Sequence, residues 1–326
     1  MKIAIVGTGS AGSQHLATVR SIDGVVPVAV PRRPSRIAEI EAAGFATASD
    51  IHSAASAGVH AAIIATDTAR HVADANSALS EGLDVLVEKP LAVNSKEAGD
   101  LVKNAGKLGR NVFVACVLRF SESLNTFREL LPEVGHLHSV QVECGSYLPD
   151  WRPQRPYTDS YSARSTEGGV LRDLVHEIDY TGWLFGWPSI IAASVKNLGR
   201  LDIDADEIAD LRWETPAGCL VSVSLDYLTR PSRRKIIASG EMGTIQWDGI
   251  EQIVTLSPAG SDAKVIRSSQ TKEELFRAQA QAFINALGGA CDPNMATGED
   301  GVRALAVCDA ARCASESQRA EPVKYL

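Results

Sequence analysis

The 326-residue sequence lacks the marks of several broad classes of protein. No apolar run approaches the ~20 residues that a membrane-spanning helix needs. The N-terminus also lacks the charged and then long apolar segments of a secretory signal peptide. Acidic residues outnumber basic ones, 40 to 32, for a net charge of -8, which argues against a general nucleic-acid-binding protein. We therefore expect no membrane and no nucleic acid among the partners.

Cysteine is sparse, and its spacing argues against two kinds of framework. The six cysteines form no C-x-x-C pair and have no histidine at metal-ligand spacing, so neither disulfides nor a metal site are predicted. We expect buried free thiols in a reducing cytoplasm. The cysteines are Cys116, Cys144, Cys219, Cys291, Cys308 and Cys313.

The first twelve residues have the pattern of a buried strand, a glycine turn and a helix start. In such a turn the first glycine permits the sharp bend, the second lets a pyrophosphate approach the backbone, and the third lets the helix pack on the strand. The helix N-terminus would then direct its amides and the positive end of its dipole at the phosphates. The predicted cofactor-binding turn is Gly7, Thr8, Gly9, Ser10, Ala11 and Gly12.

The end of the second predicted strand lacks the acidic residue that usually holds the ribose 2'-hydroxyl of NAD. No Asp or Glu stands between Gly24 and Ala38, whereas Arg32, Arg33 and Arg36 do. Guanidinium groups suit a 2'-phosphate, so the sequence favours NADP(H) over NAD(H), which remains an alternative cofactor. Alternatively, these arginines form a solvated basic turn that binds no cofactor.

The order of predicted elements divides the chain into two domains. Strands and helices alternate up to residue 118, which predicts a doubly wound parallel sheet, the α/β Rossmann domain that binds NAD(P), over 1–118. Residues 119–326 are predicted to form an α+β domain for substrate binding and oligomerisation. Its strands between 190 and 256 partly alternate apolar and polar residues, as in a large, open, mostly antiparallel sheet.

Two strand ends in the first domain carry polar residues, and the carboxyl ends of such strands line the ligand crevice. One reads Ala65-Thr66-Asp67 with His71 beyond it, and the other reads Glu88-Lys89-Pro90. With the glycine turn, an Arg119-Phe120 pair and a closing T-G-E-D segment, the chain resembles the glucose-fructose oxidoreductase and inositol dehydrogenase family (Gfo/Idh/MocA). The resemblance implies that Lys89 reaches the substrate and the nicotinamide. It implies further cofactor contacts at Thr66, Asp67 (where the family commonly has proline), His71, Glu88 and Arg119.

A long predicted loop, 149–165, combines aromatic rings with arginines. Rings pack on the C–H face of a sugar and guanidinium groups pair with phosphate or carboxylate, which favours an anionic sugar-like substrate. A solvated loop is the alternative. The predicted substrate contacts here are Trp151, Arg152, Tyr157, Tyr161 and Arg164.

Apolar residues at helical spacing predict one amphipathic helix over 167–180. Asp173, His176 and Asp179 or Tyr180 would share a face, where a histidine beside carboxylates suits acid/base chemistry or a structural hydrogen bond. The family has a G-G-G...D-x-G-x-H helix at this place, which implies that His176 is the acid/base and Asp173 its companion in the substrate pocket. Here the two lie three positions apart, where four is usual.

The prediction is therefore an NADP(H)-dependent oxidoreductase that interconverts a secondary alcohol and a ketone on a sugar, cyclitol or nucleotide-linked sugar. One alternative is an enzyme that retains NAD and oxidises a sugar transiently so that elimination or cleavage can occur. The other is a catalytically silent cofactor sensor. The family's C-terminal sheet further implies a homodimer or homotetramer. Arg230, Arg233 and Arg234 would either meet an anionic substrate or lie on the rim.

Overall fold

The computed structural model describes residues 1–325, in which helices and strands alternate early and strands dominate later. The strands are β1 Lys2–Val6, β2 Val26–Val30, β3 Ala46–Thr47, β4 Ala61–Ile64, β5 Asp84–Val87, β6 Val112–Val114, β7 Leu137–Gly145, β8 Ile190–Lys196, β9 Ile208–Glu214, β10 Leu220–Asp226, β11 Arg233–Gly240, β12 Gly243–Asp248, β13 Ile253–Pro258, β14 Lys264–Arg267, β15 Ala296–Thr297 and β16 Glu321–Pro322. The helices are α1 Ser10–Arg20, α2 Ile37–Ala42, α3 Ile51–Ser56, α4 His71–Ser80, α5 Ser95–Lys107, α6 Glu122–Leu130, α7 Val170–Asp173, α8 Val175–Phe185, α9 Lys272–Leu287 and α10 Gly298–Ser317.

The chain forms two compact units. The first is Met1–Phe120 with Thr271–Val302, and the second is Ser121–Gln270 with Arg303–Leu326. Residues 119–120 and 271–302, which the sequence-based division places in the second domain, belong to the first unit. The physical reason is burial, because Phe283 of α9 packs in the same apolar cluster as Ile3, Ile5 and Leu86.

The first unit contains a sheet in the order β15-β6-β5-β4-β1-β2-β3. Its strands pair in parallel, except that β15 pairs antiparallel with β6. The strands at its centre are fully buried, from Ile3 to Val6 and from Ala61 to Ile64, as expected for a parallel sheet covered on both faces. This is the predicted doubly wound Rossmann sheet, and the prediction is confirmed.

Helix starts in this part of the chain follow from capping residues. Asn94 accepts a hydrogen bond from the Glu97 amide at 2.9 Å to begin α5, and Thr271 and Glu274 form a reciprocal capping box at the start of α9. These side chains satisfy amides that the first turn of a helix leaves unpaired.

The second unit contains a sheet in the order β14-β13-β12-β11-β7-β10-β9-β8-β16. All neighbouring strands pair antiparallel except β7 and β10, which are parallel. Along β9, Leu211 and Trp213 are buried while Asp210 and Arg212 are exposed, the alternation of a sheet with one covered face. The predicted large, mostly antiparallel sheet is confirmed, with β14 and β16 added to it.

Candidate functional site

The glycine turn is tight on one side and open on the other. Gly7 has φ 89°, and a Cβ there would lie 2.6 Å from the Ala65 carbonyl oxygen. A Cβ on Gly12 would lie 2.0 Å from the Gly7 carbonyl oxygen, so α1 packs on the turn only because residue 12 has no side chain. A Cβ on Gly9 would meet nothing within 4 Å. The open side of the turn is therefore at Gly9, where a phosphate needs close approach.

The N-terminus of α1 fits a pyrophosphate. Gly9 is its N-cap and provides no side-chain hydrogen bond, and the first turn carries no acidic residue. The first-turn amides are thus not occupied by a capping side chain, and no carboxylate repels an anion. The Thr8 carbonyl accepts hydrogen bonds from Ser13 Oγ at 3.4 Å and Arg36 Nη2 at 3.3 Å, which places Arg36 against the turn. The residues present fit a dinucleotide.

A group of arginines surrounds one carboxylate at the neighbouring strand ends. Arg32 follows β2 and Arg70 precedes α4, and each places a guanidinium nitrogen 3.5 Å from Asp74 Oδ1. The largely buried Asp74 also accepts the Thr66 hydroxyl at 2.9 Å. Arg33 is exposed. Sequence reasoning missed Arg70 and Asp74, since only the parallel pairing of β2, β1 and β4 brings them beside Arg32.

The Glu88-Lys89-Pro90 segment follows β5. Glu88 Oε1 lies 2.9 Å from His15 Nε2 of α1, and Glu88 Oε2 accepts the Lys89 amide at 3.1 Å. Burial raises the pKa of the Glu88 carboxyl, but the hydrogen bond and charge of His15, with the charges of Lys89 and His71, outweigh it and lower the pKa overall. Glu88 is therefore an anion at neutral pH. The Lys89 side chain is half-buried, and sequence reasoning missed His15.

His71 is buried with both ring nitrogens at backbone carbonyls. Nδ1 lies 2.8 Å from the Pro90 oxygen and Nε2 lies 3.0 Å from the Thr66 oxygen. Burial lowers the pKa of His71, although both carbonyls favour the protonated ring. Being about 1% exposed, the ring holds two strand-end loops together and leaves little surface for a ligand. Asp67 is exposed at the start of the turn before α4.

Arg119 is buried and forms an ion pair within the first unit. Its Nη1 lies 3.2 Å from Asp300 Oδ2, which also accepts the Thr297 amide at 3.0 Å. The Arg119-Phe120 and T-G-E-D segments, which sequence reasoning treated separately, thus meet at the start of α10. This contact anchors the helix, because it gives the buried guanidinium a counter-ion.

In the second unit, the predicted continuous helix over 167–180 is wrong. It is broken at Leu174, with φ -95° and ψ 29°, into α7 and α8. A Cβ on Gly169, which has φ 92°, would lie 2.3 Å from Asp206 Oδ1, and Asp206 Oδ2 accepts the Leu171 amide at 3.1 Å. A carboxylate from a distant part of the chain therefore caps α7, and Asp173 ends one helix while His176 lies in the first turn of the next.

Asp173 is buried and held by a tyrosine that sequence reasoning missed. Tyr227 directs its hydroxyl to Asp173 Oδ2 at 2.7 Å. Burial, and then the charge of Asp173, raise the pKa of Tyr227 well above its usual range, so the phenol is the donor. Trp151 packs edge-on against Tyr227, with ring centroids 5.4 Å apart, and donates Nε1–H to Ser146 Oγ. One predicted substrate-loop residue thus packs on the residue that orients Asp173.

The rest of the 149–165 loop is partly tied to its own unit. The Tyr157 hydroxyl donates to the Leu201 carbonyl at 2.8 Å, and Arg164 Nη1 pairs with Glu167 at 2.6 Å. Arg152 and Tyr161 are half-buried. The fully solvated loop considered from the sequence is therefore not what the structure contains. Short 3-10 turns at 148–151, 157–159 and 161–163 organise it.

Glu177, which follows His176 in the sequence, belongs to a buried charged cluster whose other charged member is on the sheet. Glu177, which is fully buried, pairs with Arg234 Nε of β11 at 2.7 Å. Burial favours the neutral guanidine, but the charge of Glu177 outweighs it and raises the pKa of Arg234. Cys144 and Tyr180 adjoin this pair, and burial raises the pKa of both. Arg234 is thus engaged inside its own unit.

The other two arginines of that segment also have partners. Arg233 lies 3.4 Å from Glu143 and 3.7 Å from Asp226, and Arg230 stacks over the Tyr147 ring at 3.8 Å. Within residues 1–325, no group of three or more His, Cys, Asp or Glu side chains is arranged to hold a metal ion. None of the helices in the same range is both long and apolar enough to cross a bilayer.

The first unit, with its glycine turn and polar strand ends, is the dinucleotide-binding half of an oxidoreductase. A family model described as an oxidoreductase family with an NAD-binding Rossmann fold matches residues 1–116, and the C-terminal domain model of the same family matches 126–246. The chain belongs to the Gfo/Idh/MocA family. It is an oxidoreductase with an NAD-binding Rossmann fold.

Individual relatives agree with this assignment. Inositol 2-dehydrogenase 1 of Saccharopolyspora erythraea is 26% identical to this chain and covers 97% of it and 94% of its own length. Levoglucosan dehydrogenase, solved with NADH, has a TM-score of 0.89 at 18% identity over 100% of both chains. The WlbA dehydrogenase of Bordetella pertussis, solved with NADH and UDP-GlcNAcA, has a TM-score of 0.85 at 20% identity over 99% and 98% of the two chains. At these identities the two solved structures support the assignment of the fold alone.

Proposed function

We propose that this protein uses NADP(H) to interconvert a secondary alcohol and a ketone on a sugar, cyclitol or nucleotide-linked sugar. The observation that carries the proposal is the arrangement of three adjacent strands, β1, β4 and β5, in one parallel sheet. At their carboxyl ends lie the glycine turn, Thr66 and Lys89. A dinucleotide laid along this edge has its pyrophosphate on α1 and passes the strand end that carries Lys89.

The chemistry assigns one task to each polar group. A bound nicotinamide dinucleotide supplies or accepts the hydride. Lys89, which is cationic, stabilises negative charge that develops on the substrate oxygen. His176 donates the proton to that oxygen in reduction and removes it in oxidation. Asp173, oriented by Tyr227, is the companion of His176.

The preference for NADP(H) rests on the arginines after β2. Arg32, Arg33 and Arg36 replace the carboxylate that would bind a 2'-hydroxyl and repel a 2'-phosphate. Arg36 contacts the glycine turn through the Thr8 carbonyl, and the nearby Asp74 is engaged with Thr66, Arg32 and Arg70. Replacing Arg32 and Arg33 by Ala should weaken NADPH binding far more than NADH binding. An equal loss for both cofactors would refute the preference.

Arg152 supports an anionic substrate. Its side chain is half-buried. A partly desolvated guanidinium gains from a bidentate phosphate or carboxylate. Trp151, Tyr157, Tyr161 and Arg164 of the same loop are proposed as further contacts with a sugar-like substrate.

The outer face of the second-unit sheet suits self-association into a homodimer or homotetramer. It is broad and mixes charged side chains such as Asp210 and Arg212 with exposed apolar ones such as Leu220 and Val265. We also propose a reducing cytoplasm as the location, because the spacing of the cysteines in the sequence suggests no disulfide framework.

Four variants test the function. Lys89→Ala and His176→Ala should each lower kcat by at least 100-fold while NADPH still binds, because neither residue lies in the glycine turn. Lys103→Ala and His136→Ala, which change exposed residues of the same types, serve as controls. Activity is followed as NADPH oxidation across sugars, cyclitols, sugar phosphates and nucleotide sugars, after ligands are found by thermal shift.

Each outcome separates the alternatives. Unchanged turnover in Lys89→Ala and His176→Ala would refute the catalytic roles. A wild-type protein that binds cofactor but converts no substrate would favour the sensor. Cofactor that stays bound through purification and is regenerated within each cycle would favour the retained-NAD enzyme.

A further inference from the structure

Lys89 lies between two residues that are each held by a buried histidine. On its N-terminal side, His15 Nε2 lies 2.9 Å from Glu88 Oε1. On its C-terminal side, His71 Nδ1 lies 2.8 Å from the Pro90 carbonyl oxygen. The two rings are 2% and 1% exposed, so neither offers an appreciable surface to a ligand. We therefore look for the role of both rings in their contacts with the rest of the protein.

The backbone at Lys89 depends on these contacts because it has left the sheet. The Glu88 amide still donates to Ile64 of β4 at 2.9 Å. The next amide, of Lys89, instead donates to the Glu88 side chain at 3.1 Å, and Pro90 has no N–H to donate. Side chains therefore hold this segment where the strand ladder stops.

Both histidines come from elements that form the dinucleotide edge. His15 is on α1, whose N-terminus is the glycine turn, and its ring meets Phe276 edge-on at 6.1 Å. His71 begins α4, and its second nitrogen lies 3.0 Å from the carbonyl oxygen of Thr66. A shift of either element relative to the sheet is thus transmitted to the backbone that carries Lys89.

We propose that His15 and His71 are positioning residues that fix the place of Lys89 relative to the bound nicotinamide. The proposal rests on the proposed role of Lys89. Glu88 serves as the connection on one side, since it accepts from His15 with one oxygen and from the Lys89 amide with the other. A displacement of about 1 Å in a reacting or charge-stabilising group costs up to roughly 100-fold in rate. Loss of either contact should therefore reduce kcat more than it affects cofactor binding.

The test uses His15→Leu and His71→Leu with the rescuing variants His15→Gln and His71→Gln. The Leu variants should lower kcat about 10- to 100-fold, change the dissociation constant for NADPH less than about threefold, and increase the isotope effect from 4-deuterated NADPH. Glutamine keeps one N–H donor and should recover part of kcat. His52→Gln is the matched control, because His52 and Glu81 form an exposed pair at 3.0 Å in the same unit.

The outcomes distinguish this inference from the proposed function. If Lys89→Ala abolishes turnover but both Leu variants keep wild-type kcat and isotope effect, the positioning role is refuted and the function stands. If Lys89→Ala is itself active, the role of Lys89 fails. If a Leu variant does not fold, the Gln variant of the same histidine decides. Because glutamine restores only part of the contact, its kcat should stay below that of the wild type, and an unchanged kcat and isotope effect would refute the positioning role of that histidine.

Discussion

The buried ion pair between Glu177 and Arg234 should be worth several kcal/mol when only one partner is removed. The two side chains meet at 2.7 Å, but their exposures differ, 0% for Glu177 and 24% for Arg234. Arg234→Met would leave a carboxylate with no access to water. Glu177→Leu would leave a guanidinium that reaches water in part. The first change should therefore be the more costly.

The size of the effect follows from this asymmetry. Removing one partner of a buried pair costs about 3–5 kcal/mol, and we expect the upper half of that range for Arg234→Met and the lower end for Glu177→Leu. Each kcal/mol lowers Tm by about 2–4 °C for chains of 150–250 residues and by less for this longer one, so Arg234→Met should lower Tm by roughly 6–10 °C. The double variant removes both charges and should lie within about 1–2 kcal/mol of the wild type.

Thermal and urea unfolding of the wild type, the two single variants and the double variant, at pH 8 and pH 5, provide the measurement. The deficit of Arg234→Met should shrink at pH 5, since an isolated buried carboxylate favours its protonated form. That of Glu177→Leu should not. Single variants within 1 kcal/mol of the wild type, or a double variant as unstable as the sum of both, would refute the reasoning.

Three further predictions concern the glycine turn, Asp173 and pH. Gly12→Ala should lower Tm without ligand because its Cβ would be 2.0 Å from a carbonyl oxygen, whereas Gly9→Ala should keep Tm and lose NADPH affinity; equal Tm in both would contradict this. Tyr227→Phe removes a 2.7 Å hydrogen bond to Asp173 and should cost about 1–3 kcal/mol of stability and lower kcat, so an unchanged Tm and kcat would count against it. The lowered pKa of His71 means that its contribution to stability is complete above its ordinary value of 6.5 and is lost as pH falls below it. His71→Gln should flatten the decline in the free energy of unfolding below pH 6.5, and an unchanged decline would show that another group causes it.

Features set by neighbouring residues were readable from the sequence. Gly7 and Gly12 have the predicted backbone conformations because the constraint on each is local, a positive φ at Gly7 and a close helix approach at Gly12. Gly9 leaves an open side, and its contact with a pyrophosphate stays a prediction. The alternation of strands and helices likewise predicted the parallel sheet. The resemblance, carried by short motifs, pointed to the family that the comparisons then identified.

The contacts around the candidate site were not readable in this way, because they join residues far apart in the chain. His15 and Glu88 are separated by 73 positions, Asp173 and Tyr227 by 54, and Arg119 and Asp300 by 181. The one local prediction that failed, the continuous helix over 167–180, also involves a distant residue. The helix is broken at Leu174, and Asp206, 35 positions from Leu171, caps the start of α7.

The sequence by itself thus determined the strand and helix order, the glycine turn and the identities of Lys89 and His176 as candidates. The tertiary structure decided which side chains hold those candidates in place. Local spacing encodes backbone conformation and amphipathic faces, whereas a buried charge needs a partner that only the packing of distant segments supplies. The His15–Glu88 and Glu177–Arg234 pairs both depend on such packing.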